Sequence, residues 1–78
     1  MNNHSNLIKP ADLGVQDEGS IVLLHPLNDD AEKWIETNLP DVQPWQRFGL
    51  AIAVEHRFIA GIVEGIRADG MIVKHIQL

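Results

Sequence analysis

The sequence predicts a small α/β (or α+β) domain with the element order strand, helix, strand, helix, strand. Bulky apolar residues alternate with alanine over residues 50–54, which is the period of a strand. Apolar residues then recur every three or four positions over residues 58–66, which indicates a helix with one buried face. The pair Asp69-Gly70 is predicted to end this helix, because glycine tolerates a left-handed cap. A second extended apolar run follows at residues 71–76. The short links between these segments predict a compact strand, helix, strand unit.

An earlier strand and helix complete the predicted βαβαβ order. Residues 20–25 form a short apolar run closed by a proline, which is typical of a buried strand. The next helix begins at Asn28 or Asp29, and Asp29 with Glu32 has the spacing of a capping box. Its apolar residues, Trp34 among them, lie on one predicted buried face, and Pro40 ends the helix.

These elements predict a three-stranded sheet with two helices. The second and third strands are predicted to be parallel, because the helix between them fills a crossover connection. The first strand is either parallel to them or antiparallel and inserted between them. Residues 20–78 form the predicted domain, and the polar residues 1–19 form a predicted flexible N-terminal tail. The alternative for this tail is an arm, anchored by Leu7 and Ile8, that becomes ordered on a partner.

Composition narrows the class of function. The chain has 78 residues, no cysteine and a net charge of −5, so neither disulfides nor cysteine-bound metals stabilise it. Residues 1–41 contain eight acidic and two basic residues, which argues against direct binding of nucleic acid. No apolar run approaches the ~20 residues that cross a bilayer, and no secretory signal is visible. We therefore expect a cytoplasmic protein without membrane association.

The candidate residues for contact with a partner protein lie in the second half of the chain. Trp45 and Arg47 occupy a proline-flanked connector, where Trp45 either plugs the end of the sheet or stands exposed as an anchor. Gly61 and Gly65 are four residues apart in the second helix and form a smooth groove. Either the first helix or the sheet fills this groove within one chain, or another chain packs there, which would favour a homodimer.

A second candidate surface is the acidic outer face of the first helix. It consists of four carboxylates: Asp29, Asp30, Glu32 and Glu36. Such a face is either a solvated surface or a mimic of phosphate charge that occupies the basic groove of a nucleic-acid-binding protein.

Three histidines follow the predicted strands and suggest a metal site. His25, His56 and His75 would share one edge if all the strands were parallel, and Glu55 would complete a set of two histidines and a carboxylate. The alternative is three partly exposed residues that close strands. The sequence contains no phosphate loop and no nucleophile elbow, so we expect no enzyme activity and no cofactor.

One stretch of the sequence resembles a group of other proteins. The run from Phe48 to Phe58, together with the residues around His25 and Trp34, resembles short uncharacterised bacterial proteins found in genomes and mobile elements. The resemblance covers residues 21–74 and implies no functional residue. The predicted function is a non-enzymatic binding protein that self-associates as a dimer. The alternatives are an acidic phage or mobile-element inhibitor of a nucleic-acid-binding host protein, and a small metal-binding protein.

Overall fold

The computed structural model describes residues 10–76 and forms a mixed α/β domain with two helices and a five-stranded sheet. Residues 1–9 of the predicted tail, including the anchor Leu7 and Ile8, lie outside the described residues. The elements in chain order are β1 (Leu13–Asp17), β2 (Ile21–Pro26), α1 (Asp29–Asn38), a 3₁₀ helix (Pro44–Gln46), β3 (Arg47–Phe48), β4 (Ala51–Glu55), α2 (His56–Ala68) and β5 (Val73–His75).

The strand order in the sheet is β3-β4-β2-β1-β5, so the prediction of three strands is wrong in number. β2 is antiparallel to both β1 and β4, and β1 is parallel to β5. It follows that β4 and β5, the second and third predicted strands, run in the same direction. They are not neighbours, because β2 and β1 lie between them. The first predicted strand, β2, takes the antiparallel and inserted position.

The strand β1 corrects the prediction of a tail up to residue 19. It is an interior strand, paired on one side with β2 and on the other with β5. A two-residue turn, Gly19-Ser20, joins it to β2, and the Glu18 N–H donates to the Ile21 carbonyl oxygen (2.9 Å). Gly19 has φ +93°, as the first central residue of a type II′ hairpin turn requires.

The connector after α1 also contains regular structure that the sequence did not predict. It forms the 3₁₀ helix and then β3, whose hairpin with β4 pairs Phe48 with Ala51. Gly49, at φ +64°, and Leu50 make the turn of this hairpin. Leu50 therefore lies in a turn and is 60% exposed, although the alternating pattern assigned it to a strand. Ile52 and Val54 are buried as the pattern indicates.

Both helices pack on the same face of the sheet. Leu13, Leu24 and Ile52 project from three adjacent strands into one core cluster and are fully buried. Ile35 of α1 and Ile66 of α2 belong to the same cluster. Within the described part of the chain, neither helix is long and apolar enough to cross a membrane.

The start of α1 differs from the predicted capping box. Asn28 is the N-cap, and its side-chain oxygen accepts the N–H of Ala31 (2.9 Å), which satisfies a donor of the first turn. Asp29 and Glu32 lie in that turn without forming the cap. The Asn28 amide also donates to the Asp12 carboxylate (2.8 Å), which links the cap to the segment before β1.

Candidate functional site

The outer edge of β4 is open beyond the point where β3 ends. β3 pairs with Ala51 and Ile52, and this register places the Ala53 N–H against the Gln46 carbonyl oxygen. Among residues 10–76, the outer edge of β4 is therefore open only at Glu55. An edge with unpaired backbone groups is a template for pairing with another chain. This edge is therefore the starting point of the candidate site.

The chain leaves β4 at this point because the preceding residues satisfy their own hydrogen bonds. Pro44 lacks an N–H and cannot donate to a strand ladder. The Gln46 N–H donates to the Gln43 carbonyl oxygen (2.9 Å) within the 3₁₀ helix. The Gln46 side-chain amide donates to the Ala53 carbonyl oxygen (3.2 Å), which shows that this carbonyl points away from β2. One side chain thus occupies part of the position that a strand would take.

An apolar groove of about 320 Å³ runs along this edge. Its lining combines the strand edge with side chains from α1, α2 and the connector. We call it the β4 groove and define it by its principal lining residues: Ile21, Leu39, Val42, Trp45, Ala53 and Phe58.

Two aromatic side chains on the walls of the β4 groove are largely exposed. Trp45 is 74% exposed and Phe58 is 53% exposed, although the helical pattern placed Phe58 on the buried arc of α2. Of the two alternatives for Trp45, the structure has the exposed one. Exposed aromatic residues around an apolar recess are characteristic of interaction surfaces, because such rings contribute strongly to binding when a partner covers them.

The charges at the β4 groove are mostly negative. Asp41 and Glu55 are the charged residues that line it. The Glu55 carboxylate lies 3.0 Å from the Nε of Arg57, and both side chains are mostly exposed. The Arg57 guanidinium also lies over the Phe58 ring, 4.7 Å from its centroid. Asp41 has no ion pair within the described residues, so one uncompensated carboxylate remains at the rim.

The four predicted partner-contact residues do not form one surface. Trp45 lies on the β4 groove, whereas Arg47 lies at a separate small recess that also includes Glu32 and Glu36. Gly65 packs against the first helix: a Cβ atom there would lie 3.5 Å from Cζ2 of Trp34. Of the two possibilities for the glycine groove, packing within one chain therefore applies at Gly65.

Trp34 has a structural role at this contact. It is half-buried and packs against the core cluster, as its position on the buried face of α1 predicts. Its indole N–H donates to the Asp69 carboxylate (2.7 Å), which joins α1 to the end of α2. Gly70 follows at φ +82° and takes the left-handed position that ends α2, as the Asp69-Gly70 pair predicts.

Gly61→Ala is expected to stabilise the fold by about 1 kcal/mol, because alanine is the better helix former and a Cβ there meets nothing within 4 Å. Urea unfolding measures the change. Gly70→Ala is the matched control and is expected to destabilise, because alanine is strained at positive φ. Destabilisation by Gly61→Ala would mean that another surface already packs against Gly61.

The predicted acidic face of α1 is largely present as an exposed surface. Asp29, Asp30 and Glu36 are exposed and Glu32 is half-buried. None of the four carboxylates is in an ion pair within the described residues. Three of them lie in the first turn, where they also complement the helix dipole.

The predicted metal set is divided between the two ends of the sheet. β2 runs antiparallel to β4, so His25 at its end lies far from Glu55, whose pairing partner is Ile21 at the start of β2. His25 instead lies 2.9 Å from the Gln16 side-chain oxygen. No group of three or more potential ligands that could hold a metal ion occurs among residues 10–76.

His56 and His75 do lie at the same end of the sheet, near Asp17. The His56 Nε2 is 3.5 Å from the Asp17 carboxylate, and both side chains are about half exposed. The N–H of Gly19 donates to this carboxylate (2.8 Å) and is the main reason that its pKa is lowered. Burial of the carboxylate opposes the shift, while the charges of His56 and then His75 add to it.

The charge of Asp17 is expected to stabilise the fold above about pH 3.9, the ordinary pKa of aspartate, and to lose this effect as the pH falls through the lowered pKa. Asp17→Asn keeps an oxygen for the Gly19 N–H but removes the charge. The difference in unfolding free energy between the two proteins is therefore expected to shrink below about pH 3.9. A difference that is the same at neutral and acidic pH would contradict this role.

Comparisons of the chain with protein-family models, curated proteins and solved structures found no match. The candidate site therefore depends on geometry alone. Sequence reasoning identified Trp45 but missed Ala53 and Phe58. One signal in the sequence could have indicated this part of the fold. Gly49 lies directly before the alternating run, where it marks a hairpin turn and hence a short strand, β3, before it.

Proposed function

We propose that this protein is a non-enzymatic binding protein that contacts another protein through the β4 groove. The observation that carries the proposal is the position of Trp45, 74% exposed beside an apolar groove at the end of the β3–β4 ladder. The aromatic anchor and the apolar recess supply contact area to a partner.

A site-specific crosslinking experiment tests this function. The photo-reactive residue p-benzoylphenylalanine replaces Trp45, and in separate variants Asp30 or Glu64, which are also exposed. Illumination of living cells that make each variant is expected to give a defined product of higher mass at position 45 and none at position 64. Equal products at all three positions, or none at position 45, would overturn the proposal.

A second candidate function uses the acidic face of α1. The four carboxylates without ion pairs support an inhibitor that occupies the basic surface of a nucleic-acid-binding protein. This function requires crosslinking at position 30 rather than position 45. It also requires binding that weakens strongly with salt and is lost on Asp30→Lys with Glu36→Lys, because both changes act on charge. Binding that persists at about 0.5 M salt would contradict it.

We also propose that the chain self-associates. The support is that the sheet is open among residues 10–76, with edges at β3 and β5, and an open sheet edge is a surface on which a second chain can pair. Light scattering is expected to give twice the chain mass at both low and high salt. A monomer at all concentrations would contradict self-association and would leave the function at the β4 groove unaffected.

A further inference from the structure

We infer that two copies of this chain associate face to face, through the side of the sheet that carries no helix. The inference rests on the self-association proposed above and assigns it to one surface. It depends on three properties of the molecule: the directions of the side chains of the sheet, the apolar character of one face, and the distribution of negative charge.

The alternation of side chains along the strands defines this face. Successive side chains of a strand point to opposite faces of a sheet. Val22 and Leu24 belong to the core cluster under the helices, so Leu23 points to the other face. Directly paired residues of antiparallel strands share a face, so Phe48 lies on the same side as its partner Ala51. Ala51 precedes a core residue of β4 and therefore also points away from the helices.

Two further observations agree with this assignment. A Cβ atom placed on Gly14 would meet the side chains of Ile76 and His25, so these two lie together on one face. Gln16 and Ala51 are buried, yet neither belongs to the core cluster. Both described helices pack on the opposite side, so no helix among residues 10–76 covers this face. We call it the open face and define it by six residues: Gln16, Leu23, His25, Phe48, Ala51 and Ile76.

The open face is largely apolar. Phe48 is 61% exposed, and Leu23 and Ile76 are half-buried. Its two interior polar side chains satisfy each other, because the His25 ring lies 2.9 Å from the Gln16 side-chain oxygen. Covering the open face would therefore bury a hydrogen-bonded pair rather than two unpaired groups. A sheet face of this kind is normally buried against another layer of structure.

The area of the open face suits a second copy that dissociates on dilution. Three strands of five or six residues, β1, β2 and β4, form its centre, and the shorter β3 and β5 flank them. Strands about 4.8 Å apart with a rise of about 3.3 Å per residue give a flat area of roughly 300–400 Å² per copy. Two such faces, with the added relief of their side chains, bury close to the ~1,000 Å² at which specific interfaces begin.

The distribution of charge favours the open face over the other candidate surfaces. Each copy carries −5, so two copies repel each other unless the contact avoids the carboxylates. A twofold interface brings each surface against itself, which would place the four carboxylates of α1 against one another, or Asp41 against Asp41 at the β4 groove. None of the six residues of the open face is acidic. The contact is therefore expected to be apolar and insensitive to salt.

The sheet edges are the other surface at which two copies could meet. β3 has two residues and β5 has three, and so short an edge offers few backbone groups for pairing. β5 also carries Lys74, and lysine on an edge strand opposes edge-to-edge pairing. The open face offers more contact area than either edge and carries no such charge.

Sedimentation equilibrium of two lysine variants tests the inference. Phe48→Lys places a charge on the open face, and Leu50→Lys, two residues further along the same hairpin, is the matched control. The two native side chains are 61% and 60% exposed, and Leu50 lies with Ile35 at the recess on the helix side. Phe48→Lys is expected to weaken the dimer by about 30-fold or more, because the interface would bury an unpaired charge. Leu50→Lys is expected to leave the dimer unchanged.

Isotope-filtered NMR tests the same surface without a substitution. In a mixture of isotope-labelled and unlabelled wild-type chains, contacts between copies are expected to join the Phe48 ring to the methyl groups of Leu23 or Ile76. Contacts confined to the backbone of β3 or β5 would show edge pairing and would overturn the inference.

The outcomes separate this inference from the self-association on which it rests. A dimer that both lysine variants leave intact, or that both weaken equally, would overturn the role of the open face while self-association itself stands. A wild-type chain that remains a monomer at its highest soluble concentration would overturn both. Neither result affects the binding function of the β4 groove, which the crosslink at position 45 tests.

Discussion

Replacing Leu13 by alanine is expected to lower the free energy of unfolding by about 2–5 kcal/mol. Leu13 is fully buried in β1 and belongs to the core cluster formed by both helices and the sheet. Native domains have a total stability of about 5–15 kcal/mol, and a domain of this size has little surplus. The variant is therefore expected to be substantially unfolded. Urea unfolding followed by circular dichroism measures the change.

Leu27→Ala is the matched control, because it removes the same atoms from a side chain that is 44% exposed. Its expected effect is about 1 kcal/mol or less. If Leu13→Ala were as mild as this control, residues 13–17 would not form part of the core, and the five-stranded sheet would be wrong.

Replacing Trp45 by alanine is expected to weaken binding of the partner by about 30-fold or more. Aromatic anchors at the centre of interfaces contribute about 2 kcal/mol or more, which corresponds to this factor. Because Trp45 is 74% exposed, the free energy of unfolding is expected to change by about 0.5 kcal/mol or less. Titration calorimetry and urea unfolding measure the two quantities.

Leu50→Ala is the control for this prediction. Leu50 is 60% exposed in the β3–β4 turn and is not among the residues that line the β4 groove. Its replacement is expected to leave binding unchanged. Equal losses for the two variants would indicate general hydrophobic attraction, and no loss for Trp45→Ala would remove the anchor from the proposed site.

The sequence predicts well the elements whose apolar period is long and regular. The 3.6-residue period gives α2, and the alternating run gives β4, because burial of one face imposes these periods on the chain. The helix ends at Pro40 and Gly70 are also predicted, since these residues have specific backbone requirements.

The missed strands have short or interrupted patterns. β1 contains Gly14, which reads as a loop residue, yet a side chain at this position would collide with Ile76. Glycine at this position lets the Ile76 side chain pack closely against the backbone of β1, and it does not form a turn. The sequence does contain one signal for β1. Gly19-Ser20 is a two-residue hairpin sequence between two extended runs. Asp12 likewise reads as a tail residue, although its carboxylate accepts the Ile72 N–H (2.8 Å).

The candidate site is less predictable than the fold for a physical reason. Trp45 is conspicuous as an aromatic residue in a polar connector. The groove beside β4 depends on where β3 ends and on how the 3₁₀ helix turns away, and both are tertiary outcomes. The predicted histidine site also depended on a tertiary outcome. The direction of β2 decides whether His25 lies at the same end of the sheet as His56 and His75.

Amide hydrogen exchange in the free protein, measured residue by residue with NMR, tests the open edge of β4 most directly. Val54 faces β2 and is expected to exchange slowly, whereas Glu55 faces outward beyond the end of β3 and is expected to exchange much faster. Binding of a partner at the β4 groove is expected to slow Glu55 and leave Val54 nearly unchanged. Equal, strong protection of Glu55 and Val54 in the free protein would show that the edge is already paired and would contradict binding at the β4 groove.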